Sequence, residues 1–342
     1  MMKETLSILW IKDDRRGHLS KVEGTLYALS FFYKLDIHEV EVRWRPGFIR
    51  QIIHRCISKK FPLPFFFFLK EYKPKPVDLV ISSGGKTEWA NARLAHINQA
   101  QNIYFGSVRT NKPLNYSLLP IITGKNEQLP YLGLDLIPSK LTDECCHKKA
   151  KQELAHLRER YITLIIGGDG SGCTWKEADW HYLARNIITL AKLYNCKLLI
   201  STSPRTGKKA EKILHEYFNA DPNVALVIWY SENVSTPSLQ ALMGKSETIF
   251  VTEDSSTMVN EALFSARPVY TLRPPKSRLD DQTESILSRL EHRCYIKRLT
   301  TFELESVDCI THYDWSTISK NWHEKLGLKL IEYLNLTHRI RK

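Results

Sequence analysis

Residues 248–262 read Thr248-Ile249-Phe250-Val251-Thr252-Glu253-Asp254-Ser255-Ser256-Thr257-Met258-Val259-Asn260-Glu261-Ala262. The first four residues are β-branched or aromatic, which suits a buried strand, predicted over Thr248–Val251. A cluster of hydroxyls and acids follows, and from Met258 to Ala266 the apolar spacing is helical. Ser255 and Ser256 stand where that helix begins, so the unpaired amides of its first turn can receive a phosphate. Glu253, Asp254 and Glu261 lie near the same end, and a carboxylate there can accept both hydroxyls of a ribose. A capped helix with acids in its first turn fits the same residues. Strand, polar loop and helix in one run form the repeating unit of a doubly wound α/β sheet.

The unit recurs on both sides. Strands are predicted at Thr163–Ile166, Lys197–Ser201, Ala225–Trp229 and Pro268–Leu272, and earlier at Leu6–Ile11, Glu39–Trp44, Val77–Ser82, Asn102–Phe105 and Leu118–Ile122. Helical period appears at Leu19–Tyr33, Glu88–Ile97, Ala178–Tyr194 and Lys208–Phe218. A charged helical stretch, Lys140 to Arg160, separates the two series, and Trp322–Ile340 is again amphipathic. The expectation is an α/β chain with two doubly wound domains facing one cleft. The first is expected over residues 1–150 and the second over 151–315, with a helix in 316–342. In such sheets the loops at the carboxyl ends of strands carry ligands.

Four more of these loops carry polar chemistry. After the first strand comes Lys12-Asp13-Asp14-Arg15-Arg16-Gly17-His18. Gly17 permits a tight turn into a helix, and Asp14 or His18 could serve as a general base; a solvated turn of mixed charge is the alternative. After Val77–Ser82 comes Ser83-Gly84-Gly85-Lys86-Thr87, where small residues let backbone amides approach a ligand and Lys86 adds charge. Its spacing is not that of a Walker A loop, and a plain strand-to-helix turn is equally compatible. Gly167-Gly168-Asp169-Gly170-Ser171-Gly172 holds four glycines in six residues, enough for an amide nest around a phosphate or for close approach of another segment. Ser201-Thr202-Ser203-Pro204-Arg205-Thr206 offers hydroxyls and Arg205 at a helix start, a phosphate site or a simple cap. Three such loops follow strands of one predicted domain, which favours a shared ligand.

The bulk properties narrow the partners. The chain has 342 residues, 43 % of them hydrophobic and 25 % charged, enough for two packed domains. No apolar run reaches the ~20 residues of a membrane-spanning helix; Phe61–Leu69 is broken by Pro62 and Pro64. The start Met-Met-Lys-Glu followed by a short apolar run and Asp13-Asp14 reads as a first strand, not a signal peptide. Seven scattered cysteines form neither a CxxC pair nor a zinc pattern, which points to a reducing, cytoplasmic setting. The net charge of +12 calls for an anionic partner. Arg43 to Lys75 holds nine lysines and arginines, one glutamate, and Phe61 and Phe65 to Phe68 between them. That segment suits an anionic membrane surface; phenylalanines in a core with solvated charges is the other reading. No nucleic-acid-binding signature accompanies it, so no nucleic-acid partner is expected.

The Gly17-His18 loop, Pro76-Val77-Asp78-Leu79-Val80-Ile81-Ser82-Ser83-Gly84, Ile166-Gly167-Gly168, Thr202-Ser203-Pro204-Arg205-Thr206 and Val251-Thr252-Glu253-Asp254-Ser255-Ser256 occur in that order. Together they resemble the ELM1-like family, named for a plant mitochondrial fission factor, whose bacterial members are often described as predicted nucleoside-diphosphate-sugar epimerases. That family is similar to GT-B glycosyltransferases and to UDP-GlcNAc 2-epimerase. The resemblance implies two Rossmann-like domains and a C-terminal helix crossing back to an acceptor-side N-terminal domain. It implies a nucleotide-sugar donor at Gly168, Gly170, Ser203, Arg205, Glu253, Asp254, Ser255, Ser256 and Glu261. Arg205, Ser255 and Ser256 would hold phosphates, and Glu261 or Glu253 the ribose. The acceptor side would be the loop with Gly17, Ser83, Gly84 and Lys86, with Asp14 or His18 as base. Gly17-His18-Leu19-Ser20-Lys21 replaces the family's Gly-His-x-x-Gln, Pro204 stands where a second arginine is common, and Leu119-Pro120-Ile121 and Thr123 replace a His-Asp pair. The implied activity is a glycosyltransferase at the inner face of a membrane, with a lipid-linked or cell-envelope glycan acceptor, no cofactor and no metal. A nucleotide-sugar epimerase and a non-catalytic membrane-associated scaffold are the alternatives.

Overall fold

The computed structural model describes residues 3–42, 75–106, 132–232, 237–306 and 321–336. The chain forms two compact units: Met1–Lys140 joined by Asn321–Lys342, and Leu141–Lys320.

The first unit holds strands β1 (Thr5–Lys12), β2 (Lys34–Glu41), β3 (Leu79–Ser83) and β4 (Gln101–Phe105), all parallel in the order β2-β1-β3-β4. Alternate side chains go to opposite faces, as the two-residue period demands. Leu6, Ile8, Trp10, Leu79, Ile81, Ile103 and Phe105 pack on one face against Val22, Leu26 and Leu29 of the helix Arg16–Ser30. Leu9, Ile11 and Val80 pack on the other against Ala90, Leu94 and Ala95 of the helix Glu88–Ile97. The C-terminal helix Trp322–Tyr333 completes the first face with Leu326, Leu330 and Ile331. Gly327 makes this possible, since a Cβ there would stand 2.5 Å from the carbonyl oxygen of Ala28.

The second unit holds β5 (Tyr161–Ile165), β6 (Lys197–Ser201), β7 (Val224–Ile228), β8 (Thr248–Thr252), β9 (Val269–Arg273) and β10 (Lys297–Thr300). They form one parallel sheet in the order β10-β9-β8-β5-β6-β7. Every residue of β5 and β8 is buried, as a central strand covered on both faces requires. Ile162, Leu164, Leu198 and Ile200 meet the helices Glu177–Leu193 and Gly207–Phe218 on one face. Tyr161 and Leu199 meet Leu154, Ala241 and Leu242 on the other.

The doubly wound architecture read from the sequence is present in both units. The helix Asp143–Glu153, in the stretch expected to separate the domains, packs on the helix Leu239–Lys245 of the second unit. Among the described residues that helix, Asp281–His292, β10 and the short 3-10 helices Tyr230–Glu232 and Glu303–Ser306 lie outside the sequence reading. The strand expected at Leu118–Ile122 and the basic segment from Arg43 to Pro74 lie outside the described residues. Among the described residues no helix is long and apolar enough to cross a membrane.

Candidate functional site

Each sheet reverses its strand order at one point, and loops at the carboxyl ends of the two strands flanking that point are where ligands collect. In the first unit these strands are β1 and β3. In the second they are β5 and β8.

At the first point the chain leaves β1 through Asp13 and enters a helix at Arg16. Asp13 turns inward, its side chain only 1 % exposed, and its Oδ2 lies 2.6 Å from Nδ1 of His18. Its Oδ1 accepts the amide of Arg15 at 3.0 Å, fixing the carboxylate on both sides. A carboxylate can only accept, so in the neutral ring the His18 proton sits on Nδ1 and the lone pair on Nε2. This is the arrangement of a general base backed by an acid. Gly84, at the end of β3, leaves room for the pair. Its φ is +91°, and a Cβ there would lie 2.4 Å from His18 Nδ1 and 2.8 Å from Asp13 Oδ2.

Asp14, the neighbouring candidate, points to solvent. Lys86 Nζ meets its Oδ1 at 2.7 Å and, with a backbone hydrogen bond, holds the carboxyl below its ordinary range. Asp14 and Lys86 therefore pair with each other, while His18, the other candidate base, pairs with Asp13. Asp13 is the residue the sequence reading passed over. Ser83 is buried and donates to the Phe105 carbonyl at 3.3 Å, so its hydroxyl serves the sheet. Gly17 lies in the first turn of the helix. Lys21 follows His18 by three residues, on the same helix face, and burial lowers the pKa of its ammonium.

At the second point, three loops converge on Asp254. Its side chain is fully buried and its Oδ2 stands 2.9 Å from Nη2 of Arg205. Arg205 Nη1 donates to the Asp254 carbonyl at 3.0 Å. Thr252 Oγ1 donates to Asp254 Oδ1 at 2.6 Å and accepts the amide of Gly167 at 2.7 Å. Burial pushes the Asp254 carboxyl up; the Thr252 hydrogen bond and the Arg205 charge oppose that without cancelling it. Ser203 and Thr206 both donate to the Gly167 carbonyl, at 3.0 and 2.5 Å. The loops after β5, β6 and β8 are thus tied into one body.

The glycines have a different role from the open amide nest that composition suggested. A Cβ on Gly167 would lie 2.1 Å from the Asp254 carboxylate, and one on Gly168 2.1 Å from the Arg205 carbonyl oxygen. Gly170 exchanges hydrogen bonds with Cys173 at 3.0 and 2.8 Å, so its amide is occupied. These residues make room for Arg205 and Asp254, the close-approach alternative for the same loop.

Glu253 also departs from expectation. Its carboxylate is fully buried and receives Arg298 Nε and Nη2, each at 2.8 Å, Thr271 Oγ1 at 2.7 Å and Arg273 Nη1 at 3.3 Å. It faces β9 and β10 as an internal ion-pair partner. Glu261 lies half-buried in the second turn of the helix Ser256–Phe264. Ser255 caps that helix, its Oγ accepting the Met258 amide at 3.4 Å, and Ser256 is the first helical residue. Ser255, Ser256, Ser203, Arg205, Gly168, Gly170 and Asp254 therefore share one end of one sheet. Among the described residues no group of three or more His, Cys, Asp and Glu could hold a metal ion.

The structure resembles UDP-GlcNAc 2-epimerase from Methanocaldococcus jannaschii, with TM-score 0.53 at 13 % identity over 96 % of this chain and 99 % of that one. A second structure of that protein, in complex with UDP-GlcNAc and UDP, gives TM-score 0.50 at 13 % identity over 97 % and 99 %. A putative UDP-N-acetylglucosamine 2-epimerase from Listeria monocytogenes gives 0.55 at 11 % over 94 % and 91 %. These likenesses establish the fold, two Rossmann-like domains of the GT-B type. A comparison with curated protein sequences finds no match. The sequence profile described as mitochondrial fission ELM1 matches residues 136–323, more than half of the chain, and the chain belongs to that family.

Proposed function

We propose that this chain is a GT-B-type glycosyltransferase. It moves a sugar from a nucleotide-sugar donor to a lipid-linked or cell-envelope glycan acceptor at the cytoplasmic surface of a membrane. The observation that carries the reading is the Asp13–His18 pair at the carboxyl end of β1. A histidine with Nδ1 held by a buried carboxylate is oriented to take a proton at Nε2, as deprotonation of an acceptor hydroxyl requires. In the reaction His18 Nε2 accepts that proton, the acceptor oxygen bonds to the anomeric carbon, and the bond from that carbon to the leaving phosphate breaks. Arg205 and the first-turn amides of the helix Ser256–Phe264 are assigned to the departing charge, and Glu261 to the ribose. The nucleotide sugar is substrate, and the mechanism uses neither a cofactor nor a metal.

The donor assignment is supported by the convergence of the loops after β5, β6 and β8 on one ion pair. UDP is the first nucleotide to try, because a protein of similar fold forms a complex with UDP-GlcNAc and UDP. The membrane assignment is supported by the basic, aromatic composition of Arg43 to Lys75.

The test is a thermal-shift screen of the purified chain with UDP, GDP, CMP and their sugars, repeated on Glu261→Ala. Stabilisation by one nucleotide, lost in the variant, supports the donor site and selects the donor for an acceptor search. Turnover of the nucleotide sugar with no acceptor present would identify an epimerase instead. No shift at millimolar nucleotide, with retained binding to anionic vesicles, would leave a non-catalytic membrane-associated protein.

A further inference from the structure

The second unit carries another concave site, at the opposite ends of its strands. It is a cavity of about 540 Å³ whose wall includes His147, Lys151, Arg158, Lys245, Glu247 and Arg267. Arg158 and Glu247 lie just before β5 and β8 begin, so this site is at the amino ends of the strands whose carboxyl ends hold Asp254 and Arg205.

The cavity wall is firmly built. A Cβ on Gly244 would lie 2.1 Å from the Cys146 carbonyl oxygen, so the helices Asp143–Glu153 and Leu239–Lys245 touch backbone to backbone. Arg267 Nε donates to the Ser246 carbonyl at 2.8 Å, and its Nη2 to His147 Nε2 at 2.8 Å. His147 Nδ1 in turn lies 2.8 Å from Asp143 Oδ1. Arg267 is thereby pinned at the cavity edge, and its Nη1 also pairs with Asp143 Oδ1 at 3.4 Å, which offsets part of its charge.

The charge at this site is one-sided. Glu247 is the acid of the wall, and it is taken by Arg160 outside it, at 2.7 Å. Among the described residues no carboxylate forms an ion pair with Lys151, Arg158 or Lys245. Lys151 and Lys245 stand in the last turns of their helices, where a cation balances the carbonyl ends. Arg158 and Arg267 belong to neither helix, so that preference does not account for the cluster. Three unpaired cations and one fixed arginine around a cavity several times the size of a phosphate suit an anion with more than one charged group.

We propose that this cavity binds a soluble ligand bearing at least two phosphate groups, separately from the donor loops. Lys151, Arg158 and Lys245 contact the phosphates directly. Arg267 shapes the edge of the site.

Inorganic pyrophosphate is the probe, titrated calorimetrically into the full chain, Lys151→Gln, Arg158→Gln and Arg205→Ala. The two cavity positions are exposed, so their variants should melt where the parent does. Affinity should fall roughly tenfold or more in Lys151→Gln and Arg158→Gln, as expected for lost charged hydrogen bonds. The cavity's own affinity should stay within about twofold in Arg205→Ala, where only binding at the donor loops is lost. Pyrophosphate should also bind more tightly than inorganic phosphate. Loss in Arg205→Ala alone, equal affinity for phosphate and pyrophosphate, or no heat at millimolar pyrophosphate would each overturn the proposal. In a parallel arm, phosphatidic acid vesicles are sedimented with the same proteins. Vesicle binding that needs Lys151 and Arg158 while pyrophosphate does not bind would assign the phosphates to a lipid surface and overturn the soluble ligand.

Discussion

Asp13 Oδ2 stands 2.6 Å from His18 Nδ1, while Asp14, one residue later, turns out to Lys86. If His18 is the base, His18→Ala should lower the transfer rate by roughly 10²–10⁴ with nucleotide affinity unchanged. Asp13→Asn should lower it too, because an amide no longer favours the tautomer with Nε2 unprotonated. Asp14→Asn should leave kcat within about threefold, since Asp14 makes only a surface pair. A rate that follows Asp14 and ignores Asp13 would remove His18 from its assigned role.

Arg205 and Asp254 are held together in a space kept clear by glycine. Gly168 has φ +152° and a Cβ there would lie 2.1 Å from backbone. Gly168→Ala should cost about 1–3 kcal/mol of stability and weaken nucleotide binding in step. A variant that melts like the parent would show that the β5 loop can shift away from Arg205.

The Glu253–Arg298–Glu284 network makes a pH prediction. Arg298 donates to Glu284 at 2.6 and 2.9 Å and lowers its carboxyl from 4.5 to about 2. A carboxyl lowered in the folded state adds stability that is complete above its unfolded value and lost as pH falls through the folded value. Acid melts should therefore steepen between pH 4.5 and about 2, and Glu284→Gln should flatten that interval. An unchanged acid limb in the variant would count against the pair.

Glu253→Gln tests a different part of the same network. It leaves Arg298 still paired with Glu284 but weakens its charged hydrogen bonds to position 253, and should cost about 1–3 kcal/mol. At a temperature where the variant is folded, nucleotide affinity should change less than in Glu261→Ala. Equal loss of affinity at both positions would return Glu253 to the ligand.

Gly327 offers a packing test remote from either site. A Cβ there meets the Ala28 carbonyl at 2.5 Å and the Phe32 ring at 2.7 Å. Gly327→Ala should destabilise the first unit by about 1–3 kcal/mol, despite the better helix propensity of alanine. An unchanged or higher melting temperature would mean that the two helices separate without cost.

The sheets were legible in the sequence because their central strands are unbroken apolar runs ending in polar loops. Leu79–Ser83 and Thr248–Thr252 are buried throughout and were placed to within two residues. Strand β10, Lys-Arg-Leu-Thr, was not legible: as an edge strand it buries only Leu299 and shows no apolar period. The donor loops were legible as a group, since glycine, hydroxyl and charge cluster after consecutive strands. Side-chain direction was not. Asp13 and Asp14 are adjacent and chemically alike, and only the path from β1 into the helix decides which one meets His18. Glu253 looked like a ligand group because its buried partner, Arg298, comes 45 residues later in the chain.

The first unit is built from two separate segments of the chain, with Asn321–Lys342 returning to Met1–Lys140. Synthesis runs in one direction, so the first unit's sheet waits with one face only partly covered until the helix Trp322–Tyr333 leaves the ribosome. The second unit is continuous and can close on its own in the interval. Leu326, Leu330 and Ile331 then act as a late fastening for the earliest strands, and a ribosome stalled before residue 321 would hold a half-finished first unit behind a finished second one.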